Sequence, residues 1–274
     1  MKRAAVINDL SGISRCSLTV AISVLSTLEV EVCPLPTAIL SNQTEYDDFT
    51  FLDFTPHMSP FIENWKKIGY NFDAIYSGFL GSKQQIDIVI EFAKYFKEEK
   101  TIFVVDPVMG DGGELYSIYD YEYVKHMRKL IKYADVITPN LTEFSFLTGY
   151  NMEWGLDISK IKDYAYNLVE DSSCKKIIIT GIKKEDNKLV NLSLDIETDD
   201  VFIKEVDYSG KSYSGTGDLF ASIVTGYLVN GYKLEDAVEI ASDFISKVAR
   251  HTHNYDRDTR EGIMYELYLK ELRL

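Results

Sequence analysis

TIFVVDPVMGDGG, residues 101–113, joins a continuous apolar run to an aspartate and then to a glycine-rich turn. An uninterrupted apolar run of this length is typical of a strand that is buried on both faces of a parallel sheet. The pattern returns in ADVIT (134–138) and in KKIIIT (175–180), each time with polar residues at or after the end of the run. The sequence therefore predicts a mostly parallel sheet with polar side chains where its strands end.

Helical periodicity separates these strands, because apolar residues recur there at intervals of three and four. Strands that alternate with helices predict an α/β fold, with three α/β/α layers around a central, mostly parallel sheet. The predicted helices are 13–28, one with its apolar face at 86–96, 120–133, 140–148, 157–171, 217–229 and 233–250; the further strands are 4–7, 30–35 and 73–78, with an antiparallel pair at 188–196 and 201–206.

Residues 1–274 are predicted to form one domain, since no repeat, low-complexity tract or linker-like composition divides the chain. The segment 46–60, YDDFTFLDFTPHMSP, carries aromatics, acids and two prolines without any periodicity. We interpret it either as a loop or flap over a site or as an irregular edge of the fold.

The composition limits the classes of partner. The 274 residues carry 43 acidic and 29 basic side chains, a formal net charge of −14. This charge argues against nucleic acid or a membrane surface as the main partner, but it is compatible with a phosphorylated ligand held by local amides and a cation. Three scattered cysteines (Cys16, Cys33 and Cys174) and the lack of a long apolar run predict free thiols in a cytoplasmic protein.

Polar residues at the strand ends are the candidates for a binding site, because parallel α/β sheets bind ligands beyond the carboxyl ends of their strands. Several separate segments deliver such residues to the same predicted edge. These are Asn8 and Asp9 after the first strand, Asp106, the run from Thr138 to Asn140, and Thr180 with Gly181.

The sequence GTGD, residues 215–218, stands at the start of the apolar helix predicted over 217–229. Gly215 and Gly217 let backbone N–H groups approach an anion closely, and the helix N-terminus adds its dipole. Asp218 in the first turn is then placed to accept a proton from a hydroxyl held against this cradle. The alternative is an N-capping aspartate after a flexible loop. The polar residues at the strand ends favour the functional interpretation.

Two further acidic motifs have both a structural and a functional interpretation. Asp106, at the end of a buried strand, is costly to bury unless it binds a cation, directly or through water, and Asp111 follows among glycines. The alternative is an Asx-type turn. Asn140 and Glu143 have the spacing of a capping box, and the same glutamate is able to face a hydrated Mg²⁺. The local sequence leaves these alternatives open.

The ordinary nucleotide and hydrolase motifs are absent from the sequence. It contains no GxxxxGK[ST] loop, no GxGxxG after the first strand and no GxSxG turn. Phosphoryl transfer by a P-loop and serine hydrolysis at a nucleophile elbow are therefore not indicated.

With these residues in hand, the chain resembles the ribokinase-like superfamily and, within it, the pyridoxal/pyridoxamine kinases. The resemblance runs from INDLSG to about residue 250, and its motifs follow the family's order. They are LSNQTEY (40–46), YSGFLGS (76–82), DPVMGD (106–111), ITPNLTE (137–143) and GTGDLF (215–220).

The resemblance implies a ribokinase-like, ATP-dependent kinase that phosphorylates the 5′-hydroxymethyl group of a vitamin B6 vitamer. It also implies Mg²⁺, with a monovalent cation such as K⁺ as an option, and a homodimer. By matching positions, it implies Asp218 as the base; Gly215, Thr216 and Gly217 as the anion hole; Asp106 and Glu143 for Mg²⁺ and its waters; Asp111, Asn140 and Thr180 for the nucleotide phosphates; and Asp9 and Thr44, with Phe79, for the pyridine pocket.

Three positions depart from the family pattern. Gln43 stands where many members have His, Phe79 where many have Tyr, and Asp9 where many have Ser. These differences leave the phosphoryl-transfer residues intact and concern the substrate. The preferred vitamer stays open, and the alternatives are a hydroxymethylpyrimidine kinase and a catalytically silent module that binds a vitamer or nucleotide.

Overall fold

The computed structural model of this chain describes residues 1–184 and 186–274. The elements are β1 (Lys2–Ile13), α1 (Ser17–Thr27), β2 (Val30–Asn42), β3 (Phe51–Asp53), α2 (Thr55–Ile68), β4 (Ala74–Ser77), α3 (Lys83–Phe96), β5 (Ile102–Val105), β6 (Gly110–Asp111), β7 (Glu114–Leu115), α4 (Tyr121–Ile131), β8 (Val136–Ile137), α5 (Leu141–Thr148), α6 (Ile158–Val169), β9 (Lys176–Lys183), β10 (Lys188–Asp195), β11 (Asp200–Asp207), α7 (Thr216–Val229) and α8 (Leu234–His253), with short 3-10 turns at Met152–Trp154, Thr259–Glu261, Tyr265–Leu267 and Leu269–Leu272.

Within these described residues, nine strands form one sheet in the order β11-β10-β9-β8-β5-β4-β1-β2-β3. The strands from β9 to β2 run parallel, and the antiparallel strands lie at the edges: β10 and β11 on one side, β3 on the other. A separate small hairpin joins β6 to β7. The predicted mostly parallel sheet and the antiparallel pair near its end are confirmed.

Helices cover both faces of the sheet, because successive residues of a buried strand point to opposite sides. In β5, Phe103 and Val105 pack into the core with α2 to α6, whereas Val104 packs into the core with α1, α7 and α8. These three side chains are fully buried. The continuous apolar runs of the sequence are thus explained by burial on both faces, and the predicted three-layer arrangement is confirmed.

Three strands are longer than the sequence indicates, and one of them is β9, which continues to Lys183, so that Thr180 and Gly181 lie inside it rather than after it. β1 continues to Ile13, with a register shift between Asn8 and Leu10, so Asn8 and Asp9 lie inside the strand rather than after it. β2 continues to Asn42 through two prolines, although proline donates no ladder hydrogen bond. The prolines are tolerated because β3 pairs only with residues 38–40 of β2 and leaves the earlier edge open.

The segment 46–60 is more regular than either interpretation of its sequence. It contains β3 and the first turns of α2, which buries Thr55, Met58 and Ile62. Pro56 lies in the first turn of the helix, where a missing N–H costs nothing, and Pro60 lies further inside. The prolines hid the helical pattern. Among the described residues, no helix has both the length and the apolar character that crossing a bilayer requires.

Candidate active site

The N-terminus of α7 meets the carboxyl ends of the parallel strands, and the GTGD sequence forms this junction. Gly215 has a φ of 75° and is the N-cap of α7, so the helix begins at Thr216 and Asp218 lies in its first turn. Asp218 is therefore not the N-cap. No side chain caps this helix in the described structure, which leaves its first N–H groups available to an anion. Thr216 fixes the turn by donating from Oγ1 to the Tyr213 carbonyl at 3.0 Å.

The Asp218 carboxylate is held between two other segments of the chain. Its Oδ1 accepts a hydrogen bond from Asn8 Nδ2 at 3.0 Å, and the backbone N–H of Ser17 also donates to the carboxylate. Burial, with a smaller contribution from the charge of Asp9, raises the pKa of Asp218 to about 6 against the effect of these two donors. A base with this pKa is deprotonated near neutral pH and still accepts a proton readily.

Asp106, at the end of β5, faces the same junction. Its Oδ1 accepts a hydrogen bond from Thr138 Oγ1 at 2.9 Å, and a Cβ on Gly217 would lie 3.9 Å from its Oδ2. No hydrogen bond to Oδ2 is made in the described part of the chain. Burial, followed by the charge of Asp218, raises the pKa of Asp106 to about 7. Asp106 is thus a buried carboxyl with one oxygen turned toward the anion cradle.

Glu143 joins the start of α5 to the loop that follows β5. Its Oε2 accepts from the Asn140 N–H at 2.9 Å and its Oε1 from the Met109 N–H at 3.0 Å. The Glu143 N–H in turn donates to Asn140 Oδ1 at 2.8 Å, so the capping box expected from the sequence is present. Burial, and then the charge of Asp106, raise the pKa of Glu143 well above its ordinary value.

The residues matched to nucleotide phosphates lie around the same loop. Asn140 Nδ2 donates to the Gly110 carbonyl at 2.8 Å, and Asn140 forms an isolated parallel bridge with Thr180 at the end of the sheet. Asp111 lies exposed in the β6–β7 hairpin, where its Oδ1 accepts from the Gly112 N–H at 2.7 Å. This contact reaches only the next residue, whereas an Asx turn bonds the N–H two residues on, so it is a local side-chain contact within the hairpin. Asp111, Asn140 and Thr180 therefore lie around the loop that follows β5.

The residues expected at the substrate pocket separate into two groups. Asp9 is buried, and its Oδ2 accepts from Ser11 Oγ at 2.8 Å; burial raises its pKa despite this donor. The N–H groups of Asp9 and Phe79 both donate to Asn8 Oδ1 at 2.9 Å, which places their backbones next to each other. Thr44 lies in an exposed turn after β2.

The turn that contains Thr44 contacts the residue before the GTGD sequence. Glu45 Oε2 accepts a hydrogen bond from Ser214 Oγ at 2.7 Å, and Gln43 Nε2 donates to the same hydroxyl at 3.3 Å. The sequence offered no signal for this contact, because a lone serine before a glycine turn is common. The residue most clearly missed is Asn8, whose position was noted but whose partner Asp218 lies 210 residues away.

The carboxylates do not form a metal centre by themselves. Across residues 1–184 and 186–274, no group of three or more His, Cys, Asp or Glu side chains is arranged to hold a metal ion. Any cation at this site would therefore share its ligands with a bound anion or with water.

Comparisons with known proteins agree with this geometry. The sequence model of a family described as phosphomethylpyrimidine kinase matches residues 62–261. A candidate phosphomethylpyrimidine kinase from Bacteroides thetaiotaomicron, crystallised with pyridoxal, is 42% identical, with a TM-score of 0.94 over 99% of this chain and 95% of that one. The pyridoxal kinase of Lactobacillus plantarum is 28% identical, with a TM-score of 0.91 over 99% and 96%. The pyridoxal kinase of Dictyostelium discoideum is 28% identical over 271 residues, 92% of this chain and 88% of that protein.

Proposed function

The chain belongs to the phosphomethylpyrimidine kinase family, and from this premise we propose that it transfers the γ-phosphoryl group of ATP to the 5′-hydroxymethyl group of a vitamin B6 vitamer. The vitamers are pyridoxal, pyridoxamine and pyridoxine. The observation that carries the proposal is the position of Asp218, a half-buried carboxylate in the first turn of an uncapped helix at the sheet edge. Relatives named as pyridoxal kinases, and the relative crystallised with pyridoxal, support the B6 substrate.

We propose that Asp218 is the general base. As the vitamer oxygen forms its bond to the γ-phosphorus and the bond to the ADP oxygen breaks, the hydroxyl proton passes to the Asp218 carboxylate. Backbone N–H groups of Thr216 and Gly217, with the helix dipole, stabilise the charge on the transferring group. Positioning and electrostatics supply most of the catalysis, because phosphoryl transfer asks little covalent chemistry of the protein.

Magnesium is the divalent cation that we propose for the ATP phosphates. The Asp106 carboxylate fits this role, because it is buried and turns one oxygen toward the cradle. Glu143 already accepts two backbone N–H groups, so we propose that it meets the cation through water and also fixes the loop of residues 106–113. When bound, Mg²⁺ neutralises phosphate charge. A monovalent cation such as K⁺ remains a prediction of the family resemblance.

The remaining site residues are assigned by their positions. We propose Asp111, Asn140 and Thr180 for the nucleotide phosphates, supported by their common border on the loop after β5 and the end of β9. For the vitamer ring we propose Asp9 and Phe79, supported by their adjacent backbones. Thr44 joins them by sequence match, with its turn tied to Ser214 through Glu45.

We also propose that residues 1–274 act as one domain, that the protein works in the cytoplasm and that it forms a homodimer. The continuous sheet supports a single domain, because its strands come from nearly the whole chain. Sedimentation analysis of the purified protein tests the dimer, and a monomer at micromolar concentration would contradict it.

A hydroxymethylpyrimidine kinase is the second candidate, and it is supported by a relative named as a hydroxymethylpyrimidine/phosphomethylpyrimidine kinase. Both substrates are small heteroaromatic alcohols, and the same base and cradle would serve either one. A catalytically silent binding module is the third candidate. It is disfavoured because the GTGD sequence and its geometry are complete.

The first experiment measures ADP release with ATP, Mg²⁺ and, side by side, pyridoxal, pyridoxamine, pyridoxine and hydroxymethylpyrimidine. Fast turnover of a B6 vitamer supports the proposal, and turnover of the pyrimidine alone overturns the substrate while keeping the mechanism. Absence of turnover with every alcohol, together with tight vitamer binding, would favour the silent module.

Asp218→Asn tests the base. It should reduce turnover by about 100-fold or more, within the range of general-base catalysis. Asp163→Asn, at an exposed position of α6, is the matched control and should retain full activity. Retained activity in Asp218→Asn would remove the base assignment.

A further inference from the structure

Asn8 makes more contacts to the site than any role assigned above requires. Its side chain is fully buried within β1. Nδ2 donates to Asp218 Oδ1 at 3.0 Å, while Oδ1 accepts from the N–H groups of both Asp9 and Phe79 at 2.9 Å. One amide therefore joins the proposed base to the two segments that border the proposed substrate pocket.

The backbone around Asn8 is shaped to admit this side chain. The pairing of β1 with β2 shifts its register between Asn8 and Leu10, and such an irregularity turns a side chain away from the regular pleat. On the neighbouring chain segment, Gly78 leaves the space that the amide occupies, because a Cβ there would lie 2.4 Å from Asn8 Nδ2. The register shift in β1 and the glycine at position 78 thus both make room for the contact between Asn8 and Asp218.

The hydrogen-bond partners also fix which way the amide faces. Oδ1 receives two backbone N–H groups, so the oxygen must point toward Asp9 and Phe79. The NH₂ group must then face Asp218 as a donor. A carboxylate at position 8 would keep the acceptor and lose the donor, and an apolar side chain would leave two buried N–H groups unsatisfied. An amide satisfies all three partners without carrying or exchanging a proton.

We propose that Asn8 is a positioning residue that holds the Asp218 carboxylate in the orientation needed to accept the substrate proton. This inference rests on the proposed function, because it assigns a partner to the proposed base. Because Asp218 Oδ1 accepts the hydrogen bond from Asn8, rotation of the Asp218 carboxylate is restricted. The same amide orders the backbone of Asp9 and Phe79, so that base and pocket are aligned as one unit.

Other titratable groups also face Asp218 and have to be considered in any pH measurement. They are Asp9 on β1, Cys16 before α1, Tyr76 on β4 and Asp106 at the end of β5. None of these side chains is removed when Asn8 is substituted. A change in the pH profile of an Asn8 variant is therefore attributable to the lost donor and the group that replaces it.

The test uses Asn8→Asp, which keeps an acceptor for the two backbone N–H groups and removes the donor to Asp218. We expect kcat with the best vitamer to fall about 10- to 100-fold, while KM for ATP and vitamer changes less than about threefold, because ground-state binding is retained. The acidic limb of the kcat profile should move to higher pH by about one unit or more, because a hydrogen-bond donor to the charged carboxylate is lost and a second carboxylate is placed beside it.

Asn230→Asp is the matched control. Asn230 is the C-cap of α7, at the opposite end of the helix from Asp218, and its Nδ2 donates to the carbonyls of Leu28 and Gly226 at 2.9 Å. The substitution is chemically identical and removes comparable hydrogen bonds. It should lower thermal stability without moving the acidic limb or the ratio of kcat to KM.

The outcomes separate this inference from the proposed function. If Asp218→Asn is inactive but Asn8→Asp keeps wild-type kcat and pH profile, Asn8 does not position the base and only this inference fails. If wild-type protein phosphorylates no alcohol, the proposed function fails first. Should Asn8→Asp not fold, Asn8→Ser replaces it, with the same expected loss of kcat and a smaller shift of the acidic limb, because serine adds no charge. A ¹³C carboxyl titration of Asp218 provides a readout independent of activity, and an unchanged titration in the variant overturns the inference.

Discussion

Gly215 packs its α-carbon directly against the backbone of Arg15, so closely that a Cβ would lie 1.9 Å from the Arg15 carbonyl oxygen. Arg15 is held in turn by the C-terminal segment, through an ion pair with Glu266 and a hydrogen bond from its N–H to the Glu261 carbonyl. The proposed anion cradle therefore packs against the loop before α1. Residues near the C-terminus hold this loop in place through their contacts with Arg15. This arrangement leaves no room for any side chain at position 215.

Gly215→Ala should disrupt both stability and activity. Alanine at this φ of 75° costs about 1–2 kcal/mol, and the clash with Arg15 adds about 1–3 kcal/mol of overpacking. The displaced cradle should lower kcat by about 100-fold or more. Gly231→Ala is the control, since Gly231 has a φ of 89° but nothing within 4 Å of its Cβ position. Equal loss of thermal stability in the two variants would contradict the clash.

The rate of phosphorylation should depend on pH through Asp218. Burial raises the pKa of this carboxyl to about 6, and a base works only when deprotonated. We therefore expect kcat to be constant at neutral pH and to fall as the pH drops through about 6. Because Asp106 lies close by, the limb is expected to reflect the pair rather than one group. If the residual rate of Asp218→Asn keeps the same limb, another group is responsible.

Asp106→Asn should make the metal-free protein more stable at alkaline pH. The folded protein raises the pKa of Asp106 from 3.8 to about 7, so folding favours the protonated form. The contribution of this carboxyl to stability is therefore fully present below its unfolded pKa and lost as the pH rises through about 7. Asparagine keeps an acceptor for Thr138 and does not titrate.

Chemical unfolding in a chelating buffer measures this effect. Near pH 8 the variant should exceed wild type by roughly 2–4 kcal/mol, and by about half as much near pH 5.5, because each unit of pKa corresponds to about 1.4 kcal/mol. If Asp106→Asn is less stable than wild type at both pH values, the charge of the buried Asp106 carboxylate is already compensated in the folded protein.

Asp9→Ser should change the choice among vitamers. In its proposed position beside the vitamer ring, this buried carboxylate would favour a cationic amine, so the preference for pyridoxamine over pyridoxal, as a ratio of kcat/KM, should fall about tenfold on its removal. Ser11→Ala removes the donor to Asp9 Oδ2 but keeps the charge, and should leave most of the preference intact. An unchanged ratio in Asp9→Ser would mean that Asp9 does not face the amine.

Much of the fold could be predicted because burial on two faces leaves a direct mark on the sequence. The run at 101–106 became β5, and the apolar stripe at 233–250 became α8, which extends to His253. The turn at GTGD could be predicted equally well, because Gly215 allows the positive φ of the N-cap and an aspartate is favoured in the first turn of a helix. These features depend on neighbours along the chain.

The features that were missed depend on partners distant in sequence. β1 reads as a strand only to residue 7, and it is pairing with β2 that carries it through Asn8 and Asp9 to Ile13. In 46–60, two prolines masked a helix whose buried residues Met58 and Ile62 gain their stability from the core. Local propensity is overridden in both cases by tertiary contacts.

The sequence by itself determined the alternation of strands and helices and the glycine turn before a buried helix. Tertiary structure decided which polar groups meet. The sheet order sets β1 beside β4, and the packing of α7 on that face brings Asp218 to Asn8, 210 residues away. Hydrophobic patterning selects a class of fold because burial is non-directional, whereas hydrogen bonds between distant residues are directional and form only once the strands are in register.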